Sequence, residues 1–469
     1  MENSSASIKI TNQCTLILYI LVTTLVFEGI LRKLVPSLRT PLFFFKDFLC
    51  LIVIFKLTAL KLKDMTERLR KIWSFLSFLF LPLLLFTSFK DPVLAVFSAK
   101  QYLLYVVTGL LVAVSFPVFR ETQFRLFLFL VALLIIPTTF VAVLQNALPS
   151  SHWLNLSVGG DSLAGFSAAG FLRVSSTFSF TGQYSWFITA ETFFLAASFF
   201  LPPDKRFGLG NNFKPIAYSV LILMLITGAF ITGGRTAVLG SAATLTLGFF
   251  FLASKRPQWL FKGVLILVLC VGGIVAIRSI KPEFFIVYDE RASGSKEVSH
   301  NQEVTSRVLE GFTDWISWFV KEEPLSFWLG NGLGIMSNGV SQISSYAAKI
   351  RSTGFWTEGD MATTFWEGGI YLVILWYGFR IWVMVMAFRL WNQLKDKLLV
   401  SAASVPLAYI IIQGCSAPFA IQPPLSIWWW LAIGIIIVIN RFDKYRLQLI
   451  LSERKRILHE KSVLQTIEE

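Results

Sequence analysis

Apolar runs of roughly twenty residues, parted by short polar turns, recur along almost the whole chain. A helix needs about 20 mostly apolar residues to cross a bilayer. On that measure the pattern predicts twelve spans, near 14–31, 42–60, 72–89, 93–118, 124–146, 183–201, 214–232, 235–253, 258–280, 361–388, 397–416 and 421–440. One long polar interruption, Lys281 to Asp360, follows the ninth segment and precedes the last three. Within it Asp289 to Gln302 reads as irregular, and then Val304, Val308, Leu309, Phe312, Trp315, Ile316 and Phe319 return at helical spacing. That is an amphipathic helix suited to the face of a membrane. Glu322-Glu323-Pro324 ends it, and Leu329-Gly330-Asn331-Gly332-Leu333-Gly334 reads as a tight turn. The expected fold is an all-α polytopic membrane protein of about twelve transmembrane helices with a large, partly helical extracytoplasmic loop. Residues 1–280 carry the first nine helices, 281–360 the loop, 361–440 the last three and 441–469 a basic tail.

Composition agrees, because 55% hydrophobic residues with 45 Phe and 15 Trp exceed what a soluble core can hide. The net charge of +14 is mostly a matter of topology. Cations gather in alternate turns, around Lys61–Lys71, Arg120–Arg125, Lys205–Lys214, Lys255–Lys262 and Arg389–Lys397, and in the tail. The long loop, by contrast, holds seven Lys and Arg against eleven Asp and Glu. The positive-inside rule then places both termini in the cytoplasm and the loop outside. Nothing resembles a basic groove interleaved with stacking aromatics, so nucleic acid is not expected as a partner. The four cysteines fall inside predicted spans, which argues against a disulfide framework or a metal site. The first apolar run lacks a small-residue cleavage site and reads as a retained helix.

Several arginines stand at the ends of apolar segments: Arg173, Arg235, Arg278 and Arg307. Arg235 lies in Ile231-Thr232-Gly233-Gly234-Arg235-Thr236-Ala237, between two spans whose short turn faces outward. The glycines permit a hairpin too tight for residues with a Cβ. An arginine at the following helix N-terminus is placed where the dipole also favours an anion, and its forked donors match phosphate oxygens. Anchoring a helix end at lipid headgroups is the plain alternative. Arg32, Lys33 and Arg39 break the positive-inside trend and face either the same anion or outer-leaflet headgroups. Glu191 and Glu367 fall within spans, where an ionisable group is functional by default; pairing inside the bundle is the plainer reading. Lys349 and Arg351 either line a path for a long ligand or sit in a solvated loop.

Gly-Gly-Arg-Thr-Ala opening a helix resembles a motif of the O-antigen ligase and polysaccharide polymerase superfamily. So do Arg173 with Ser175-Ser176-Thr177-Phe178, Arg307 through Pro324 to Gly330-Asn331-Gly332-Leu333-Gly334, and Phe365-Trp366-Glu367-Gly368-Gly369-Ile370. The resemblance covers roughly 165–380. It implies a bacterial cytoplasmic-membrane glycosyltransferase that takes a glycan from a polyprenyl diphosphate and passes it to a glycan or lipid acceptor, with no cofactor. By position, Arg173, Arg235 and Arg307 would hold the diphosphate, with Arg351 as a further substrate-binding candidate. Ligases of the family carry a histidine just before the span after the loop. Here that place reads Thr357-Glu358-Gly359-Asp360, and His152, His300 and His459 lie elsewhere. The departure favours a polymerase or a divergent transferase. Glu358 and Asp360 are then the candidate general bases; a solvated loop end or a divalent-ion site are their alternatives. A transporter or flippase of a lipid-linked glycan or other anion is the rival function.

Overall fold

The computed structural model describes residues 2–59, 65–161, 163, 167–168, 171–204, 213–292, 324–352, 359–422 and 424–468. A helix lies under each of the twelve apolar segments. In chain order these are α1 (Glu2–Leu34), α2 (Arg39–Ala59), α3 (Met65–Lys90), α4 (Pro92–Ala99), α5 (Val106–Ser115), α6 (Glu121–Ala132) and α7 (Ile135–Ala147). A two-residue hairpin follows, β1 (Ser167–Ala168) antiparallel to β2 (Phe171–Leu172), a small exception to the all-α expectation. Then come α8 (Thr181–Phe200), α9 (Phe213–Ile231), α10 (Arg235–Lys255), α11 (Trp259–Ile280) and α12 (Glu283–Ala292). The chain closes with α13 (Pro324–Leu329), α14 (Ser345–Arg351), α15 (Asp360–Asn392), α16 (Lys397–Ser416) and α17 (Leu425–Glu468).

Nine helical stretches among the described residues are long and apolar enough to cross a membrane, so the chain is a multi-pass helical membrane protein. Helix α2 falls outside that group because it carries Arg39, Lys46, Asp47 and Lys56; α8 carries Gln183, Glu191 and several hydroxyls. Phe55, Phe75, Phe78, Phe89 and Phe261 stand exposed on the outside of the bundle, where lipid would meet them. The membrane part of α17 is almost wholly buried and acts as the central post. A helix apolar all round belongs inside the bundle, and Gly434 brings it into close approach with Gly109 of α5.

Local chemistry explains where the helices break. Pro137 has no N–H for the carbonyl of Leu133, so the segment expected as one span at 124–146 divides at Leu133–Leu134. Between α4 and α5, residues Lys100–Leu104 form a π-helix, a geometry frequent at functional sites. Helix α15 is broken at Gly368 and Gly369, the latter at φ 62°. Two sequence expectations need adjusting at helix ends. Helix α12 carries helical structure through Asp289 to Ala292, and α17 runs to Glu468, so the expected tail continues the last span as one helix. The amphipathic helix expected at 304–319, with Arg307, and Glu358 fall outside the described residues.

The turns collect at two ends of the bundle. At one end Arg256 donates to the Lys397 carbonyl (3.0 Å) and the Ser401 hydroxyl (3.1 Å). There Arg446 pairs with Glu121 and Asp396, each at 2.5 Å. At the other end the backbone of α1 meets the turn before α8: Ile30 N–H donates to the Thr177 carbonyl at 2.8 Å. A Cβ on Gly29 would collide with the backbone of Phe178 and Ser179. Because backbone cannot step aside, we expect Gly29→Ala to cost about 3 kcal/mol, the upper part of the range for overpacking. The apparent Tm of detergent-solubilised protein checks this, and an unchanged Tm would show that the two segments are not in register.

Candidate functional site

Two of the sequence-predicted arginines converge on one turn. Thr232-Gly233-Gly234 joins α9 to α10, with Gly233 at φ 59°, a conformation glycine adopts without strain. Gly234 N–H donates to the Thr232 hydroxyl (2.9 Å), and Arg235 is the first residue of α10. The space where Gly233 would carry a Cβ is filled by Val287 of α12, with Cγ of Arg173 3.4 Å away. Ser185 of α8 fills the corresponding space at Gly234. Strand β2 delivers Arg173 to this turn, and α12 closes over it with Phe285 and Tyr288 on Phe230, ring centroids 4.4 and 5.1 Å apart. Burial raises the Tyr288 hydroxyl above its ordinary range, the Asp289 charge adds to this, and Arg235 opposes it, which places that guanidinium in electrostatic reach of the ring. Two guanidinium side chains beside a helix N-terminus form a place where phosphate oxygens are favoured. Arg278, at the end of α11, instead pairs with Asp289 at 2.5 Å.

The segment after Arg173 is held rigidly. Ser176 is a non-glycine residue at φ 54°. Its N–H donates to Gln145 Oε1 and its hydroxyl to the Thr138 carbonyl, both at 2.6 Å; Thr177 donates to the Val26 carbonyl at 2.5 Å. A left-handed serine costs of order 1–3 kcal/mol and persists where surrounding bonds over-determine it.

Asp360, expected where the loop meets the span, stands at that boundary but is not solvated. It is the first residue of α15 and is buried. Its Oδ2 accepts from Arg380 Nη1 and from the Tyr377 hydroxyl (2.7 Å), and Arg380 also donates to the carbonyls of Gln413 (3.0 Å) and Ala417 (3.1 Å). The other oxygen, Oδ1, is buried and has no hydrogen-bond partner among the described residues. A helix starting at Asp360 puts Arg380 twenty residues on, a relation no local motif reveals. Arg351, at the end of α14, donates to the Ser337 carbonyl at 3.2 Å.

About two turns further along α15, Glu367 is fully buried and accepts from the Tyr102 hydroxyl (2.7 Å) and the Met336 N–H (2.9 Å). Pairing inside the bundle, the plainer reading for it, is what is found. The carbonyls of Trp366 and Glu367, freed by the break at Gly368–Gly369, accept from Asn331 N–H (2.9 Å) and Gly332 N–H (3.0 Å). The glycine-rich turn and the Trp-Glu-Gly-Gly break are thus one interlocked unit. Glu191 differs: it is buried in α8, and neither carboxyl oxygen has a hydrogen-bond partner among the described residues.

Contacts link the basic turn to the carboxylate along one end of the bundle. Ser185 of α8 touches the turn, and Gly182 at the start of α8 lies against Gln422. Residues 417–422 reach Arg380 through Ala417, Gln101 through Ala420 (2.6 Å), and Asn338 through Ile421 (3.0 Å). A small cleft opens beside this path, lined by Glu28, Gly29, Phe178, Gln183, Leu425 and Trp428. Arg380, Tyr102, Lys100 and Glu28 escaped the sequence reading, since each sits in an apolar run whose overall character masks a single charge or hydroxyl. Among the described residues no three His, Cys, Asp or Glu side chains come together as a metal-binding group. Compared with family models, with curated proteins and with solved structures, the chain matches none.

Proposed function

We propose that the protein transfers a glycan from a polyprenyl diphosphate to a hydroxyl of a glycan or lipid acceptor, at the outer face of a bacterial cytoplasmic membrane. In this reading it has twelve transmembrane helices, with both termini in the cytoplasm, and polymerises or ligates a surface polysaccharide. The observation that carries it is the convergence of Arg173 and Arg235 on the Gly233–Gly234 turn at the start of α10. The acceptor oxygen attacks the anomeric carbon as the bond to the diphosphate breaks, which inverts that carbon. The proton passes to a carboxylate, Glu358 or the partnerless Oδ1 of Asp360. Charge growing on the departing diphosphate is stabilised by Arg173 and Arg235, with Arg307 as a third donor and Arg351 along the acceptor path.

Purified protein should consume a polyprenyl-diphosphate glycan without ATP, nucleotide sugar or added metal, and turnover should survive EDTA. Loss of activity in EDTA with recovery in magnesium would assign the charge stabilisation to a metal. The partnerless Glu191 in the bundle interior favours a second reading, a transporter of a lipid-linked glycan or other anion. Movement of the intact lipid-linked glycan across a vesicle without bond breakage would select it.

A further inference from the structure

The outer ends of α1 and α2 hold a second concentration of charge, separate from the turn at Arg235. Glu28 accepts from Arg32 (3.0 Å) and Lys46 (2.9 Å), and Asp47 accepts from Lys100 (2.9 Å) and the Tyr105 hydroxyl (2.6 Å). The ring of Phe43 sits among the three cations, its centroid 5.1 Å from Arg32, 4.4 Å from Lys46 and 5.0 Å from Lys100. Lys46, Glu28 and Asp47 are buried. Three cations here face two carboxylates, which leaves one positive charge over. Lys33 adds another, because among the described residues its ammonium donates to the Leu154 carbonyl (2.8 Å) and the Ser175 hydroxyl (3.4 Å), both neutral. Among the described residues no other carboxylate pairs with this set. Uncompensated charge taken out of water is strongly unfavourable, so the arrangement calls for an anion.

Two further observations indicate its kind. Nε of Arg32 and Nε of Arg39 are both buried and have no hydrogen-bond partner among the described residues, and Arg39 lies one turn before Phe43 on the same face of α2. Around them Leu31, Leu34, Val35, Leu38 and Phe44 are exposed apolar side chains. Forked donors in an apolar rim suit a phosphate that carries hydrocarbon. We infer that Arg32, Lys33 and Arg39, backed by Lys46 and Lys100, bind the phosphate head of a lipid at a site distinct from Arg173 and Arg235. The inference rests on this charge balance and does not need the transferase reading.

Native mass spectrometry of the full chain, with farnesyl diphosphate as probe, tests it. Wild type should retain two copies, Arg32→Gln/Arg39→Gln one, and Arg32→Lys/Arg39→Lys two, with affinity at the altered site at least tenfold weaker in the glutamine variant. Arg235→Ala should also retain one, lost from the other site. Two copies in the glutamine variant at wild-type affinity would overturn the inference. A single wild-type copy that disappears in Arg235→Ala would overturn it too, while leaving the Arg235 site standing. A second copy lost in the glutamine variant but kept in Arg235→Ala supports this site and removes the other. Phosphatidylglycerol competing at the α1–α2 site identifies a bilayer lipid, and resistance to it identifies an isoprenoid carrier; either supports a lipid phosphate. Inorganic pyrophosphate displacing the probe equally well at equal concentration would overturn the lipid assignment.

Discussion

Asp360→Asn is expected to destabilise the protein by about 3–5 kcal/mol, the usual consequence of stranding one charge of a buried pair. Arg380 is fully buried, stacks between Tyr377 and Phe419 at 4.9 and 4.7 Å, and has Asp360 as its ion-pair partner. Removing the carboxylate leaves the guanidinium with the carbonyls of Gln413 and Ala417, which cannot neutralise it. Arg380→Met in the same chain should restore most of the lost stability, read as the apparent Tm of detergent-solubilised protein. Equal, additive losses in the double variant would mean the pair contributes no coupling. The same logic changes how a catalytic test must be read. An inactive Asp360→Asn protein does not identify a base, because its fold is compromised. A stable Asp360→Asn/Arg380→Met protein that turns over at the wild-type rate would remove Asp360 from the chemistry, and Glu358→Gln then becomes the decisive variant.

Arg235→Ala should do the opposite, leaving the fold intact and abolishing function. Its side chain is half-buried at the first position of α10, and the turn geometry comes from Gly233 and Gly234 rather than from the arginine. We expect a nearly unchanged Tm and a fall in turnover of about a hundredfold or more, the scale on which removing one charge-stabilising donor acts. Arg235→Lys should recover only part, since the ammonium keeps the charge but loses the fork. Wild-type turnover in Arg235→Ala would remove this residue from the proposed diphosphate clamp.

How much of this could be read beforehand follows from the distance over which each signal acts. Every apolar segment became a helix because hydrophobic length is a local property. The glycine turn at 233–234 was legible for the same reason, since two adjacent glycines before an arginine declare their own conformation. The partners of the charges inside the spans were not. Tyr102 and Glu367 lie 265 positions apart, and Lys100 lies 53 from Asp47. Nothing along the chain says that these groups meet. Asp360 was read at the boundary of loop and span, and nothing near it in sequence says that a buried arginine twenty positions on will pair with it.

The interlock between the glycine-rich turn and the broken α15 also limits what can swing. A Cβ on Gly330 would strike the backbone of Glu367, and one on Gly369 would strike the backbone of Phe327 and Trp328, so the two strands of chain touch main chain to main chain. Residues 327–336 therefore cannot lift away as a lid without unwinding the first turns of α15. If a long glycan is threaded past this end of the bundle, the doorway must be made by its other walls. This end of the bundle would then behave as a fixed die past which such a polymer advances, with the register of each step set by the protein and not by the motion of a flap.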